Sequence, residues 1–167
     1  MANELEKTNA LRQEKPIPAK LDEVDRKILA LLSADSSRSY ADLGEALHLS
    51  APSVHERVKR LKKDGVIKAT IAKIDGCKVG RSLLTFVLVN TKSILSTKRL
   101  LILSDLPEIE EFHTVAGDSC VMLKVRTRDT EGLEELLGKL QEIEGVDSTR
   151  SYIVLSTFVE RGPDPSL

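Results

Sequence analysis

The hydrophobic period of this chain changes once, and that change constrains the fold more than any other feature. Between Leu21 and Leu61 apolar residues recur at helical spacing in three short runs. Beyond Arg81, alternating or continuous apolar runs rich in β-branched residues are interleaved with helical ones. Such a switch predicts two units of different class, a small helical one followed by an α+β one. In the first run Asp22 is a good N-cap, with Asp25 three residues on, and Val24, Ile28, Leu31 and Leu32 repeat at helical spacing. Residues 33–37 read as a turn. A second helix fits 39–47, capped by Ser39, with Leu43, Ala46 and Leu47 on its apolar face. After the turn His48-Leu49-Ser50, Ser50 caps a third helix. Pro52 is tolerated in its first turn, where the N–H has no intrahelical partner. Val54, Val58 and Leu61 form its buried stripe, and Gly65 is a good stop. Residues 66–74 are β-branched and alternating, so a short strand closed by Asp75-Gly76 is expected. Helix, helix, short turn, helix, strand is the order of a winged helix-turn-helix.

Charge separates the same regions. The chain as a whole is net −1, but residues 50–73 carry seven basic and two acidic groups, net +5, while residues 101–160 are net −8. A basic middle favours a polyanionic partner; the acidic half does not. With Val54, Val58 and Leu61 inward at 100° per residue, the third helix turns Pro52, Ser53, Glu56, Lys59, Arg60 and Lys63 outward, with Arg57 on the flank. A small polar first turn followed by basic side chains suits a recognition helix in a major groove. The second helix would cross the phosphate backbone with Ser39 and Tyr40 near a phosphate. An ordinary three-helix bundle with a solvated basic face satisfies the same periodicity. His55 sits at the edge of the stripe, where packing and DNA contact are both open.

In the second half, 81–91 holds a near-continuous apolar run, expected as a strand apolar on both faces. Residues 96–106 read as a helix stopped before Pro107. Residues 109–116 and 120–127 alternate around Gly117-Asp118-Ser119. Asp129 caps a helix with Leu133, Leu136, Leu137, Leu140 and Ile143 on one face, Gly145 ends it, and 149–160 is a last strand. This order is the ferredoxin-like βαββαβ arrangement. Two helices cover one face of such a sheet. In 81–91 Leu84, Phe86 and Leu88 point one way and Leu83, Val87 and Val89 the other, so the uncovered face is expected to pack on a second subunit. The fold class is therefore α+β. An arm covers 1–20, with helix-breaking prolines at 16 and 18. The winged helix-turn-helix spans 21–80, with its motif at about 40–59. The ferredoxin-like domain spans 81–160, and a tail follows at 161–167.

The chain resembles the leucine-responsive/asparagine-operon regulator (Lrp/AsnC) family. The resemblance is carried by LDEVDRKILALL (21–32), LSAPSVHERVKRLKKDGVI (49–67), HTVAGDSCVMLKV (113–125) and GVDSTRSYIVLSTFVE (145–160). It implies a winged helix-turn-helix joined to a small-molecule-binding αβ domain of the RAM type. It also implies homodimers assembled into tetramers or octamers, binding to double-stranded promoter DNA, and a response to amino acids. Carried onto this sequence, residues 51–60 would enter the major groove. Ser50, Ser53, Arg57 and Arg60 would make direct contacts, and Lys59 and Lys63 would meet phosphates. The family's effector loop, which helps form an amino-acid site between dimers, corresponds to Ala116, Gly117, Asp118, Ser119 and Cys120. There the N–H groups of a glycine turn could take a carboxylate and Asp118 an ammonium group. Ser119 and Cys120 depart from the acidic or aromatic residue that often follows Gly-Asp in the family. Gly117 and Asp118 are also ordinary turn residues.

Other classes find less in the sequence. His48, His55 and His113 share no metal spacing with Cys77 or Cys120, and no phosphate loop or nucleophile elbow is present, so neither catalysis, a metal nor a cofactor is expected. There is no apolar run of membrane-spanning length and no secretory signal, which with two distant cysteines points to a reducing cytoplasm. Two alternatives to an amino-acid-modulated regulator stay open: an effector-independent architectural DNA-binding protein, and a thiol- or redox-responsive regulator acting through Cys120 or Cys77.

Overall fold

The computed structural model describes residues 18–165. Most of the expected N-terminal arm lies outside them. The described chain divides into two units, one holding residues 18–73 with 159–165, the other residues 74–158.

The first unit is built from three helices, each started by a side chain that accepts a hydrogen bond from a backbone N–H left unpaired at the helix start. Helix α1 (Glu23–Ala34) begins at Asp22, which accepts from Asp25 N while Asp25 accepts from Asp22 N. Helix α2 (Tyr40–Leu47) begins with the same reciprocal box between Ser39 and Asp42. Helix α3 (Ala51–Lys63) begins at Ser50, with Pro52 in its first turn. Each such cap contributes about 1 kcal/mol. The turn between α2 and α3 is tight. His48 closes α2 in the left-handed conformation (φ 56°). Gly44 lets the chain fold back, because a Cβ there would lie 2.5 Å from the Leu49 carbonyl oxygen. Ile28, Leu43, Val54, Val58 and Leu61 form the buried core of this unit. Val54, Val58 and Leu61 are thus inward as the spacing predicts.

The expected wing does not form. Residues 66–74 carry no strand, and Ile71 and Ile74 are exposed. Alternation and β-branching favour an extended backbone, but a strand also needs a partner ladder, and no described segment pairs with this one.

The second unit is a four-stranded antiparallel sheet with strand order β2-β3-β1-β4, formed by β1 (Leu83–Thr91), β2 (Ile109–Thr114), β3 (Val121–Thr127) and β4 (Val146–Ile153). Two helical segments are inserted in the ferredoxin-like order. Between β1 and β2 the expected single helix is instead a short α4 (Ile94–Arg99) followed by a 3₁₀ turn (Leu100–Asp105). Between β3 and β4 lies α5 (Thr130–Gln141), started at Asp129 as its sequence predicts. The last strand starts three residues earlier than expected and stops at Ile153, so Leu155, Phe158 and Val159 are exposed beyond it. Gly145, before β4, has a positive φ and lies so close to Ser96 that no Cβ would fit.

Alternation in β1 sorts its two faces. Val87 and Val89 are buried with Val121, Leu123 and Val125 of β3 and Leu133, Leu136 and Leu140 of α5. Leu84, Phe86 and Leu88 lie on the opposite face, beside Arg126, Lys124 and Met122 of β3 and Tyr152 and Arg150 of β4. Phe86 and Leu88 are half-buried there and Tyr152 is exposed. Glu110 is the extra residue of a β2 bulge. With Glu111 it makes an ion-pair cluster with Lys124, Arg126 and His113.

Candidate nucleic-acid interface and effector cleft

The outer face of α3 does not offer its basic residues equally. Arg57 Nη1 donates to Asp22 Oδ2 at 2.6 Å and to Asp25 Oδ1 at 2.9 Å, and Arg60 Nη2 donates to Asp25 Oδ2 at 2.5 Å. Asp25 is fully buried. Its oxygens accept from Arg57, Arg60 and the Asp22 N–H, which together offset the cost of removing a carboxylate from water. Arg60, expected outward, and Arg57, expected on the flank, are thus both held by carboxylates of α1. A helical wheel gives the direction in which a side chain leaves its own helix. It does not show that α1 places two carboxylates within reach of a long guanidinium stem.

Lys59, Lys62 and Lys63 remain exposed, and no carboxylate partner is found for them among the described residues. Ser50 is exposed and Ser53 half-buried at the start of the same helix. Ser39 and Tyr40 are exposed at the start of α2. The Tyr40 ring meets the His55 ring at a centroid distance of 5.2 Å, which gives His55 a packing partner the sequence did not reveal. The arrangement presents two helix N-termini and a lysine row on one small unit, a surface suited to phosphates.

Electrostatics at the helix starts is one-sided. The Arg57 guanidinium, then the Asp25 N–H, hold the Asp22 carboxyl below its ordinary value. The Ser39 hydroxyl and N–H do the same for Asp42, as do the Gly132 N–H and Arg128 for Asp129. Each group is more acidic folded than unfolded, so in mild acid the unfolded chain binds more protons, and stability rises with pH in that window. The contribution is fully present at neutral pH and is lost as pH falls below about 4. Thermal unfolding followed by circular dichroism is expected to show a midpoint flat near neutrality and dropping steeply below that pH. A midpoint unchanged into strong acid would remove these carboxylates from the stability of the fold.

In the second unit the loop after β2 lines an open cleft of about 480 Å³. Ala116, Gly117, Ser119 and Cys120 are on its wall, whereas Asp118 is exposed on the same loop and is not among the lining residues. The cleft also draws on residues that the sequence did not single out: Thr91, Ser93, Ile94, Thr97, Thr114 and Val115. The run of hydroxyls in TKSILST (91–97) was the available sign, but only folding brings it beside the loop. The Thr91 and Thr97 hydroxyls lie 2.6 Å apart, and Ser93 Oγ lies 3.0 Å from Ser96 Oγ. Among the described residues no charged side chain lines the cleft, and a ligand there meets the apolar side chains of Ile94, Val115 and Ala116 as well as hydroxyls, main-chain groups and one thiol. Among the described residues no group of His, Cys, Asp and Glu could hold a metal ion, and no helix is long and apolar enough to cross a membrane.

A three-helix unit with capped helix starts and a lysine row, in one chain with a ferredoxin-like sheet bearing an open cleft, defines a two-domain transcription regulator of the helix-turn-helix class. Residues 21–62 match the AsnC-type helix-turn-helix domain and residues 85–164 the Lrp/AsnC ligand binding domain. The chain belongs to the Lrp/AsnC family of transcriptional regulators. It is 35% identical over 140 residues to the HTH-type transcriptional regulator FL11 of Pyrococcus horikoshii, a match that covers 84% of this chain and 93% of that one. Among solved structures, Escherichia coli AsnC superposes with a TM-score of 0.81 at 28% identity, over 88% of this chain and all of that one. The regulator NMB0573 of Neisseria meningitidis, solved as an L-Met complex, superposes with a TM-score of 0.80 over 85% of this chain and 94% of that one. Its 23% identity makes that a likeness of fold. These domains and relatives are those of regulators, not enzymes.

Proposed function

We propose that this regulator binds promoter DNA as a homodimer or a higher homo-oligomer and that an amino acid held in the cleft adjusts that binding. The observation that carries the reading is the cleft itself, because the loop 116–120 meets a hydroxyl-rich segment of the same domain at a size fit for a small ligand. Hydroxyls can donate to a carboxylate and accept from an ammonium group, and Asp118 is the one carboxylate of that loop. The L-Met complex of the similarly folded neisserial regulator supports an amino acid as the ligand class.

On DNA, Ser50 and Ser53 face the bases from the start of α3, while Lys59 and Lys63 meet phosphates. Ser39 and Tyr40 meet a phosphate from α2, and Arg57 and Arg60 set the pose of α3 through Asp25. Self-association is supported by the face of the sheet bearing Phe86, Leu88, Met122 and Tyr152, opposite the face that packs on α5. The cytoplasm is where promoter DNA and free amino acids meet, and the protein is placed there.

The test is fluorescence anisotropy on the promoter upstream of the protein's own gene, at fixed salt, with and without each amino acid. Tight binding shifted by one amino acid is expected, and Asp118→Ala should spare the binding while weakening the shift. Tight binding indifferent to every amino acid would favour the architectural reading. Affinity no greater than for random DNA would overturn operator recognition.

A further inference from the structure

The last described residues do not stay with the sheet that precedes them. After β4 the Val154 N–H still donates to Leu84 O, and residues 159–165 then belong to the helix-turn-helix unit. Two contacts within that unit hold them. Lys73 Nζ donates to Glu160 O at 3.0 Å and lies 2.9 Å from Glu160 Oε2. Arg26 Nη1 of α1 donates to Pro165 O at 3.0 Å, and both residues are half-buried. The run Arg161-Gly162-Pro163-Asp164-Pro165 leads from one anchor to the other. Its two prolines fix φ at their own positions and disfavour a helical backbone at the residue before each. A chain stiffened in this way loses less entropy when it docks, and because it is already part of the molecule, modest contacts hold it.

The consequence is a second covalent connection. The chain leaves the helix-turn-helix unit after Lys73 and re-enters it at Val159, and the Lys73–Glu160 pair ties the two passages together next to those points. A body held by one strand of chain can turn about that strand, and a second attachment at a separate point removes the turn. The separate point here is α1, at the residue beside Asp25, whose carboxylate holds Arg57 and Arg60 of α3. We propose that residues 159–165 are a strap: docked on Lys73 and on α1, they give the DNA-binding unit a second tether, and this restraint narrows the half-site spacings that a dimer accepts. The effect on spacing rests on the dimeric DNA-binding reading above, whereas the strap itself is a property of the free protein. Exposed ion pairs are weak, and Lys73 is largely exposed, so the strap is releasable rather than a permanent lock.

In the full-length protein, chymotrypsin cleavage after exposed Phe158 reads release of the strap, because a docked segment must open before it fits a protease. Lys73→Glu and Arg26→Met lie away from the cut, and each should speed it several-fold. Adding Glu160→Lys to Lys73→Glu restores the pair with its signs exchanged and should bring the rate back toward the parent's, with Glu160→Lys alone as the control for its closeness to the cut. Melting curves check each fold; if Arg26→Met misfolds, exposed Lys73→Glu serves alone. The second readout is anisotropy on the protein's own promoter and on the same duplex with about 5 bp, half a helical turn, inserted at its centre. The parent should lose about tenfold in affinity on the inserted duplex and the released variants about threefold or less. Taking the ratio between the two duplexes cancels the cation that each variant lacks. Cleavage indifferent to the substitutions, or a parent that binds both duplexes alike, overturns the strap. Promoter affinity no greater than for random DNA overturns the operator reading instead, and cleavage then decides the strap.

Discussion

Arg57→Ala is expected to loosen the helix-turn-helix unit itself rather than only strip a cation from its DNA-binding face. Arg57 bridges Asp22 and Asp25 across α1 and α3, and Asp25 is fully buried. Removing one partner of a buried ion pair leaves a charge without compensation, at a cost of about 3–5 kcal/mol when nothing else neutralises it. Here Arg60 and the Asp22 N–H remain on Asp25, so a smaller destabilisation of about 2 kcal/mol is expected. Denaturant unfolding of this unit should register it, with the midpoint shifting and the slope unchanged. Asp25→Asn gives a second view, because it keeps the shape and removes the charge that holds Arg60, while Arg57 keeps its bond to Asp22. If Arg57→Ala unfolds like the parent protein but binds the promoter more weakly, Arg57 is a DNA contact and its bridge to α1 is dispensable.

The second large effect concerns Lys59 and Lys63, for which no carboxylate partner is found among the described residues. Lys59→Glu combined with Lys63→Glu should lower affinity for any duplex on the order of a hundredfold at low salt, because each reversal replaces a released counterion with a repulsion. The slope of log affinity against log salt should flatten by about one for each phosphate no longer engaged. Stability should barely change, since both side chains are exposed. A double variant with the parent's salt slope would move the interface off this face of α3. Reading unfolding and salt slope on both variants separates the two classes of basic residue: those that hold the recognition helix and those that meet the nucleic acid.

Local rules carried much of the architecture. The caps Asp22, Ser39, Ser50 and Asp129 start the helices their spacing predicts, because a cap depends on residues within one helical turn. The stripes of α3 and α5 point inward as their periods require. The expected strand at 66–74, and the part of the last expected strand beyond Ile153, do not form for one reason. Residues 66–74 and 154–160 have strand composition, but pairing depends on a partner that local sequence does not name. The segment 96–106 differs in another way, as its leucines continue past the short α4 into a 3₁₀ turn that packs Leu100 and Leu103 on the sheet.

The sequence by itself determined the two-unit order, the helix starts, the buried stripes and the family, all of which depend on residue identity at fixed local spacing. Only the tertiary structure decided which cations of α3 are held by Asp25 and which have no carboxylate partner among the described residues. It alone brought the hydroxyls of 91–97 to the loop at 116–120. Those outcomes depend on distances between segments far apart in the chain, and a side chain's partner is whatever the fold places within a few ångströms of it.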